Sequence, residues 1–234
     1  MHTLYHLWLS PFCRKVRIVL AEKRLDFEMV VEPVWERRPA FLAMNPAGDV
    51  PVLVVPASAA VADGAAVADG AAIADSAAIA EYLDAIQPEP PLFGRDPLNG
   101  AEVRRLVAWF DRKFNNEVTE NLVTEKVMKR LLGTGHPDSG AIRAGLKNIH
   151  YHLDYIGFLV DRRPWLAGAD FSLADIAAAA HLSCVDYVGD VPWDRHEQAR
   201  DWYARIKSRR SFRAILADAI PGLPPPKAYA DLDF

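Results

Sequence analysis

The periodicity of this chain changes once, and the change divides it. Residues 1–86 alternate short runs of β-formers with short helical patterns; Pro88, Pro90 and Pro91 interrupt the chain; beyond them apolar residues recur every three or four positions. A chain that switches period in this way is not one sheet or one bundle. The pattern predicts an α/β domain over 1–86, a linker over 87–94, an all-helical domain over 95–220 and an extended tail over 221–234. A length of 234 residues is enough for both domains to bury cores without disulfides.

Within the first part, the run Thr3-Leu4-Tyr5-His6-Leu7-Trp8 predicts a strand that ends at Ser10-Pro11. Pro11 suits the first turn of a helix, and Val16, Val19 and Leu20 then share a face, with Arg14, Lys15, Glu22 and Lys23 around them. Asp26–Glu32 predicts a second strand, parallel to the first because a helix intervenes. A short helix follows near Arg38–Ala43, then the turn formers Asn45-Pro46-Ala47-Gly48-Asp49 and a strand over Val50–Val55. Pro51 cannot donate to a ladder, so it belongs at a strand edge or in a tight, cis-compatible turn. A hairpin partner near Ala72-Ile73-Ala74 and a helix opened by Asp75-Ser76, carrying Ile79, Tyr82, Leu83 and Ile86, complete the order βαβαββα.

Between Val61 and Asp84 the chain repeats itself as VADGAA, VADGAA, IADSAA, IAEYLD. A β-solenoid needs more copies than this to bury a core, so the repeat is expected to lengthen a hairpin loop, with Asp63-Gly64 and Asp69-Gly70 as alternative turns.

In the second part, Val103, Leu106, Val107, Phe110, Phe114, Val118 and Leu122 trace a helix to about Leu132, broken by Gly133-Thr134-Gly135-His136-Pro137. Ile142, Leu146, Ile149, Leu153 and Ile156 trace an antiparallel partner. Ser172-Leu173-Ala174-Asp175 has the form of a capping box, and the helix it opens is apolar on most sides, which places it at the centre of a bundle.

Charge and cysteine content exclude several functions. The chain holds 27 basic and 31 acidic residues, for a net charge of −4. Residues 1–85 account for all of it, with 7 basic and 11 acidic residues against 20 of each in the remainder. A global positive field for nucleic acid or an anionic membrane is therefore lacking, and no apolar run reaches the length of a membrane span. Two cysteines, Cys13 and Cys184, offer neither a disulfide scaffold nor metal-ligand spacing, and His6, His150, His152 and His181 lack partners at such spacing; no metal is expected and a reducing, cytoplasmic setting is.

Ser10-Pro11-Phe12-Cys13-Arg14-Lys15-Val16-Arg17, Asn45–Leu53, Asp75-Ser76-Ala77-Ala78-Ile79 and Phe171–Asp175, in this order and spacing, resemble the cytosolic glutathione transferases across residues 1–220. The resemblance implies a thioredoxin-like βαβαββα domain followed by a helical bundle. It also implies a glutathione site in which Ser10 stabilises a bound thiolate at a helix N-terminus, the Val50 backbone beside Pro51 pairs with the cysteinyl segment, and Asp75 and Ser76 receive the γ-glutamyl group. Read from the residues alone, Ser10 and Asp75-Ser76 are also sufficient as helix caps, and Cys13 as a buried small residue.

The tail has its own character. Pro221–Pro226 stiffens the chain, and Lys227–Phe234 ends it on aromatic and acidic residues, suited either to packing on the protein itself or to presenting anchors to a partner. With Val34–Pro39 and Ala108–Phe114, this tail resembles an alphaproteobacterial, division-associated branch of the same family. That narrower resemblance implies a homodimeric, non-enzymatic protein at the division site that binds filaments of the tubulin-like FtsZ and alters their curvature and bundling. Trp35, Tyr229, Asp231, Leu232, Asp233 and Phe234 are then the candidate contacts. The alternative is an enzyme joining glutathione to a small electrophile.

Overall fold

The computed structural model describes residues 1–56, the backbone of 66–67, and residues 70–232. The chain divides into two compact units, Met1–Pro90 and Pro91–Phe234.

The first unit is a mixed sheet with helices. Its strands are β1 (His2–His6), β2 (Phe27–Val31), β3 (Val52–Pro56), β4 (Ala66–Val67) and β5 (Gly70–Ala74), in the spatial order β2-β1-β3-β5-β4. β1 runs parallel to β2, with Leu4 opposite Met29, and antiparallel to β3, with Leu4 opposite Leu53; β3 pairs antiparallel with β5, Leu53 opposite Ile73. This is the expected βαβαββα order with a two-residue strand added at the edge, where Ala66 and Val67 pair with Ala71 and Gly70. The turn candidates Asp63-Gly64 and Asp69 lie outside the described residues.

Three helices accompany the sheet: α1 (Pro11–Glu22), α2 (Pro39–Met44) and α3 (Ser76–Ile86). α1 starts where a proline at N1 and the Ser10 cap allow it, the Ser10 hydroxyl oxygen accepting the Cys13 N–H at 3.3 Å. Val16, Val19 and Leu20 are buried with Leu4, Val52, Leu53, Ile79 and Leu83, so the core lies between the sheet and the α1–α3 pair. The basic residues of this stretch, Arg14, Lys15, Arg17 and Lys23, are all buried as well. Arg14 donates from Nε to the Trp8 carbonyl at 2.8 Å, and the Lys23 ammonium reaches Asp84 and the Pro90 carbonyl, each at 2.5 Å. Their hydrogen bonds offset the loss of water. Cys13 is buried, as is Cys184 in the second unit.

The second unit is helical. Capped by Asp96, α4 (Pro97–Ala108) continues into a wider i→i+5 helix, Trp109–Met128, and a last α-turn, α5 (Lys129–Leu132). Gly133, at φ +63, ends it. α6 (Ser139–Val160), capped by Asp138, packs against the wide helix, and Gly145 leaves room for it: a Cβ there would stand 2.8 Å from Leu122 Cγ. α7 (Leu173–Tyr187) is buried at every residue and begins at the Ser172–Asp175 capping box. The Asp175 carboxylate accepts from Leu166 N–H, Trp202 Nε1–H, and both the N–H and the hydroxyl of Ser172, at 2.9–3.1 Å. α8 (Glu197–Lys207) and α9 (Arg213–Leu216) complete the unit.

The tail packs back on this unit. Tyr187 Oη donates to the Leu223 carbonyl and accepts from Ile220 N–H, each at 2.8 Å. Tyr229, expected as a partner contact, is instead fully buried: its ring meets Tyr187 edge-on at 5.1 Å and its hydroxyl donates to the Ile215 carbonyl at 2.9 Å. A large ring on a short 3₁₀ turn gains more from this core than from solvent. Asp231 and Leu232 remain exposed, and Asp233 and Phe234 lie outside the described residues.

Candidate functional site

A cleft of about 330 Å³ opens in the first unit, lined by Phe12, Asn45, Ala47, Asp49, Val50, Pro51, Ala74, Asp75 and Ser76. Its shape comes from two backbone features. One is the loop before β3, held by Asn45, whose Nδ2 donates to the Asp49 carbonyl at 2.9 Å and to Asp49 Oδ1 at 2.6 Å, while its Oδ1 accepts the Ala47 N–H at 3.2 Å. Gly48 permits the turn: at φ +72 a Cβ would also stand 3.0 Å from Leu42 Cδ2. The loop ends at the Val50–Pro51 peptide, which is cis.

The other feature is the start of α3. Asp75 Oδ1 accepts the N–H groups of Ala77 and Ala78 at 2.7 and 3.1 Å. Its backbone adopts φ +75, ψ 128, a conformation that costs a side-chain-bearing residue about 1–3 kcal/mol and that clusters where ligands are held. Because Asp75 satisfies the second and third amides, the amide and hydroxyl of Ser76 are left facing the cleft without a protein partner among the described residues. A helix N-terminus with a spare N–H and O–H suits a carboxylate.

Of the residues expected here, Val50, Pro51, Asp75 and Ser76 share the cleft, and Ser10 is not among its lining residues. Ser10 is half-buried at the start of α1, and accepting the Cys13 N–H does not consume its own hydroxyl proton. Phe12 and Ala74 line the cleft without having been singled out; neither carries a chemical signal beyond its neighbours. Trp35 stands apart, 47% exposed on the 3₁₀ turn Val34–Glu36.

The helical unit holds a polar cluster that sequence spacing does not reveal. Trp109 Nε1–H donates to His152 Nδ1 at 3.1 Å, which fixes the tautomer, and His152 Nε2–H donates to Glu117 Oε2 at 3.0 Å. Lys113 pairs with the other Glu117 oxygen. Burial holds the His152 pKa below the ordinary histidine value, against the pull of Glu117. Burial would raise Glu117, but the hydrogen bonds from Lys113 and His152 outweigh it and leave that carboxyl below its ordinary value. Thr119 and Asp111 flank His181 in the same way, at 3.1 and 3.4 Å. Among the described residues no group of three or more His, Cys, Asp or Glu side chains is arranged for a metal ion, and no helix is long and apolar enough to cross a membrane.

Comparison with known proteins bears on the whole chain. Residues 4–91 match the family model of the glutathione S-transferase N-terminal domain. The chain is 49% identical to FtsZ-localized protein A of Caulobacter vibrioides, over 99% of its own length and 98% of that protein. A glutathione S-transferase structure from Rhodospirillum rubrum F11 superposes with a TM-score of 0.92 at 57% identity, covering 100% of both chains. The structure of FzlA from C. crescentus superposes with a TM-score of 0.92 at 48% identity, covering 100% of this chain and 99% of that one.

Proposed function

The chain belongs to the glutathione S-transferase family, and from that premise we propose that it works as a cell-division protein, a homodimer that binds FtsZ filaments and alters their curvature and bundling. The observation that carries this reading is the 49% identity to a protein named for its FtsZ localisation, sustained over nearly the whole of both chains. Two copies related by a two-fold axis present two identical patches, and bivalency strengthens filament binding without stronger single contacts. Trp35, Asp231 and Leu232 are the proposed contacts, each exposed. Asp233 and Phe234 follow them in the sequence. Tyr229 has the different task of holding the tail in place.

The test is co-sedimentation with polymerised FtsZ at micromolar concentrations. The intact protein is expected in the pellet, and Trp35→Ala or removal of residues 231–234 is expected to shift it toward the supernatant. An intact protein that stays in the supernatant overturns the reading.

A second reading rests on the unpartnered Ser76 amide and hydroxyl: the cleft binds glutathione, and the protein conjugates it to a small electrophile. Glutathione would supply the thiol nucleophile. Ser76 would hold its γ-glutamyl carboxylate, the Val50 backbone would orient its cysteinyl segment, and the Ser10 hydroxyl would donate to the thiolate at the positive end of α1. Millimolar glutathione is then expected to raise the melting temperature, with Ser76→Ala abolishing the rise. No shift in the parent protein removes this reading and leaves the first untouched.

A further inference from the structure

Three aromatic side chains form a ridge on the helical unit, away from the cleft. Tyr151 and Tyr155 are one turn apart on α6, and Trp109 is the first residue of the wide helix. The Trp109 ring centroid lies 4.6 Å from that of Tyr155 and 6.1 Å from that of Tyr151, so the indole joins the two. The Lys113 ammonium lies 5.6 Å from the Trp109 centroid and 5.7 Å from the Tyr151 centroid. Tyr151 is exposed, and Trp109 and Tyr155 are half-buried.

Beneath the ridge, the indole is tied to a group that can change from acceptor to donor. An indole nitrogen only donates, so at 3.1 Å His152 Nδ1 accepts, and the imidazole proton sits on Nε2 facing Glu117 at 3.0 Å. An imidazolium donates from both nitrogens. A second ring proton therefore sets an N–H at Nδ1 against the indole N–H, while the Nε2 bond to Glu117 becomes charge-assisted. The two partners do not yield equally. His152 is fully buried and packs edge-on against Phe114 at 5.0 Å, whereas Trp109 reaches solvent.

The surrounding charges hold this change off at neutral pH. Burial is the main opposition to the second proton, Lys113 of the wide helix and His181 of α7 add to it, and Glu117 of the wide helix pulls the other way. Asp111 stands 3.4 Å from His181 Nε2, and α4 contributes Arg105, whose guanidinium donates to the Tyr155 hydroxyl at 2.9 Å.

We infer that His152 is an acid-sensitive switch for the aromatic ridge: a second ring proton turns its Nδ1 from acceptor to donor and releases the Trp109 indole from its place beside Tyr155. The ridge then loses the ring that joins its two tyrosines, and Lys113 loses one of the two faces beside it. A partner that docks on the ridge meets one surface at neutral pH and another in acid.

The experiment follows the indole N–H signals of the ¹⁵N-labelled full chain from pH 8 to pH 5. The chain has six tryptophans, and the signal missing from Trp109→Phe belongs to Trp109. In the parent that signal should move upfield, toward the position of a water-exposed indole, with a midpoint below about pH 6.5. His152→Gln should abolish the titration, and His181→Asn should leave it in place. Glu117→Gln still accepts from Nε2 but no longer attracts the imidazolium, so the midpoint should fall by about one pH unit; this variant also carries the test should His152→Gln fail to fold, which circular dichroism reports. A parent signal that does not titrate overturns the inference, as does a titration that survives in His152→Gln, disappears in His181→Asn or keeps its midpoint in Glu117→Gln. Joint loss of all six signals also overturns it, because the fold then yields before the indole is released. Neither FtsZ nor glutathione enters this test, so it can fail apart from both functional readings.

Discussion

An aspartate serves the opening of α3 and, through a capping box, that of α7, and these two openings are built to opposite ends. At the start of α3, Asp75 is exposed, holds a positive φ and caps two amides, leaving Ser76 to face a cleft. At the start of α7, Asp175 is fully buried and both of its oxygens are engaged by four donors, including the indole of Trp202 on α8. The same local rule, a short acidic side chain satisfying orphan helix amides, serves a ligand-facing opening in one unit and the joining of helices in the other. The separating features are burial and backbone strain.

The largest effect should come from the buried opening. Asp175→Ala leaves four buried donors without an acceptor, and at about 1–3 kcal/mol for each unsatisfied group, partly relieved by relaxation, the loss should be on the order of 4 kcal/mol. Burial pushes this carboxyl up and the four donors pull it down, with burial dominant. Urea denaturation of both proteins measures the loss. A loss below 1 kcal/mol would show that water reaches these donors and that the contrast with Asp75 is one of degree.

Both openings were legible in the sequence because each is a contiguous motif: Asp75-Ser76 and Ser172–Asp175 lie within a few residues, and so does the Asn45–Pro51 turn. The order of elements followed from the change of period. What was hidden depends on contacts between distant positions. Glu117 and His152 are 35 residues apart and become neighbours only when α6 packs on the wide helix. Phe171 and Trp165 meet Arg209 and Arg205 only in the folded unit. Arg14 and Lys23 look like surface residues of an amphipathic helix, since a pattern of charges does not say whether a carbonyl or carboxylate waits behind them. Tyr229 illustrates the reverse: composition marked the tail as unusual without saying which way its ring turned.

An intermediate effect is expected from the buried histidine of the helical unit, which sharpens the comparison by adding pH. His152 is held neutral, its Nδ1 accepting from Trp109, so protonation would set two N–H groups against each other. Its pKa in the folded chain lies below the ordinary value near 6.5, which the unfolded chain approaches. The unfolded state therefore takes up the proton first as pH falls. Stability is fully present above about pH 6.5 and declines below it, by up to about 1.4 kcal/mol per pH unit for this group. His196, also lowered by burial despite Asp154, acts in the same direction. His152→Gln should be less stable than the parent at pH 7 but should lose less between pH 6.5 and 5; parallel curves would remove His152 as the cause.

The smallest effect belongs to the cleft. Asp75→Ala discards the cap, at a cost of about 1 kcal/mol, and leaves a Cβ in the positive-φ conformation, whereas Asp75→Gly discards the same cap but removes the steric penalty. Glycine already outranks alanine at an ordinary N-cap, and the positive φ should widen that margin to about 1 kcal/mol or slightly more. Asn, which caps and tolerates positive φ, should match the parent closely. If alanine proves as stable as glycine, the start of α3 can relax out of its conformation and Asp75 is an ordinary cap like many others. If glycine wins by more than its ordinary N-cap margin over alanine, the strain is imposed by the fold to keep Ser76 turned toward the cleft, and the opening of α3, unlike that of α7, gives up stability to keep a binding surface formed.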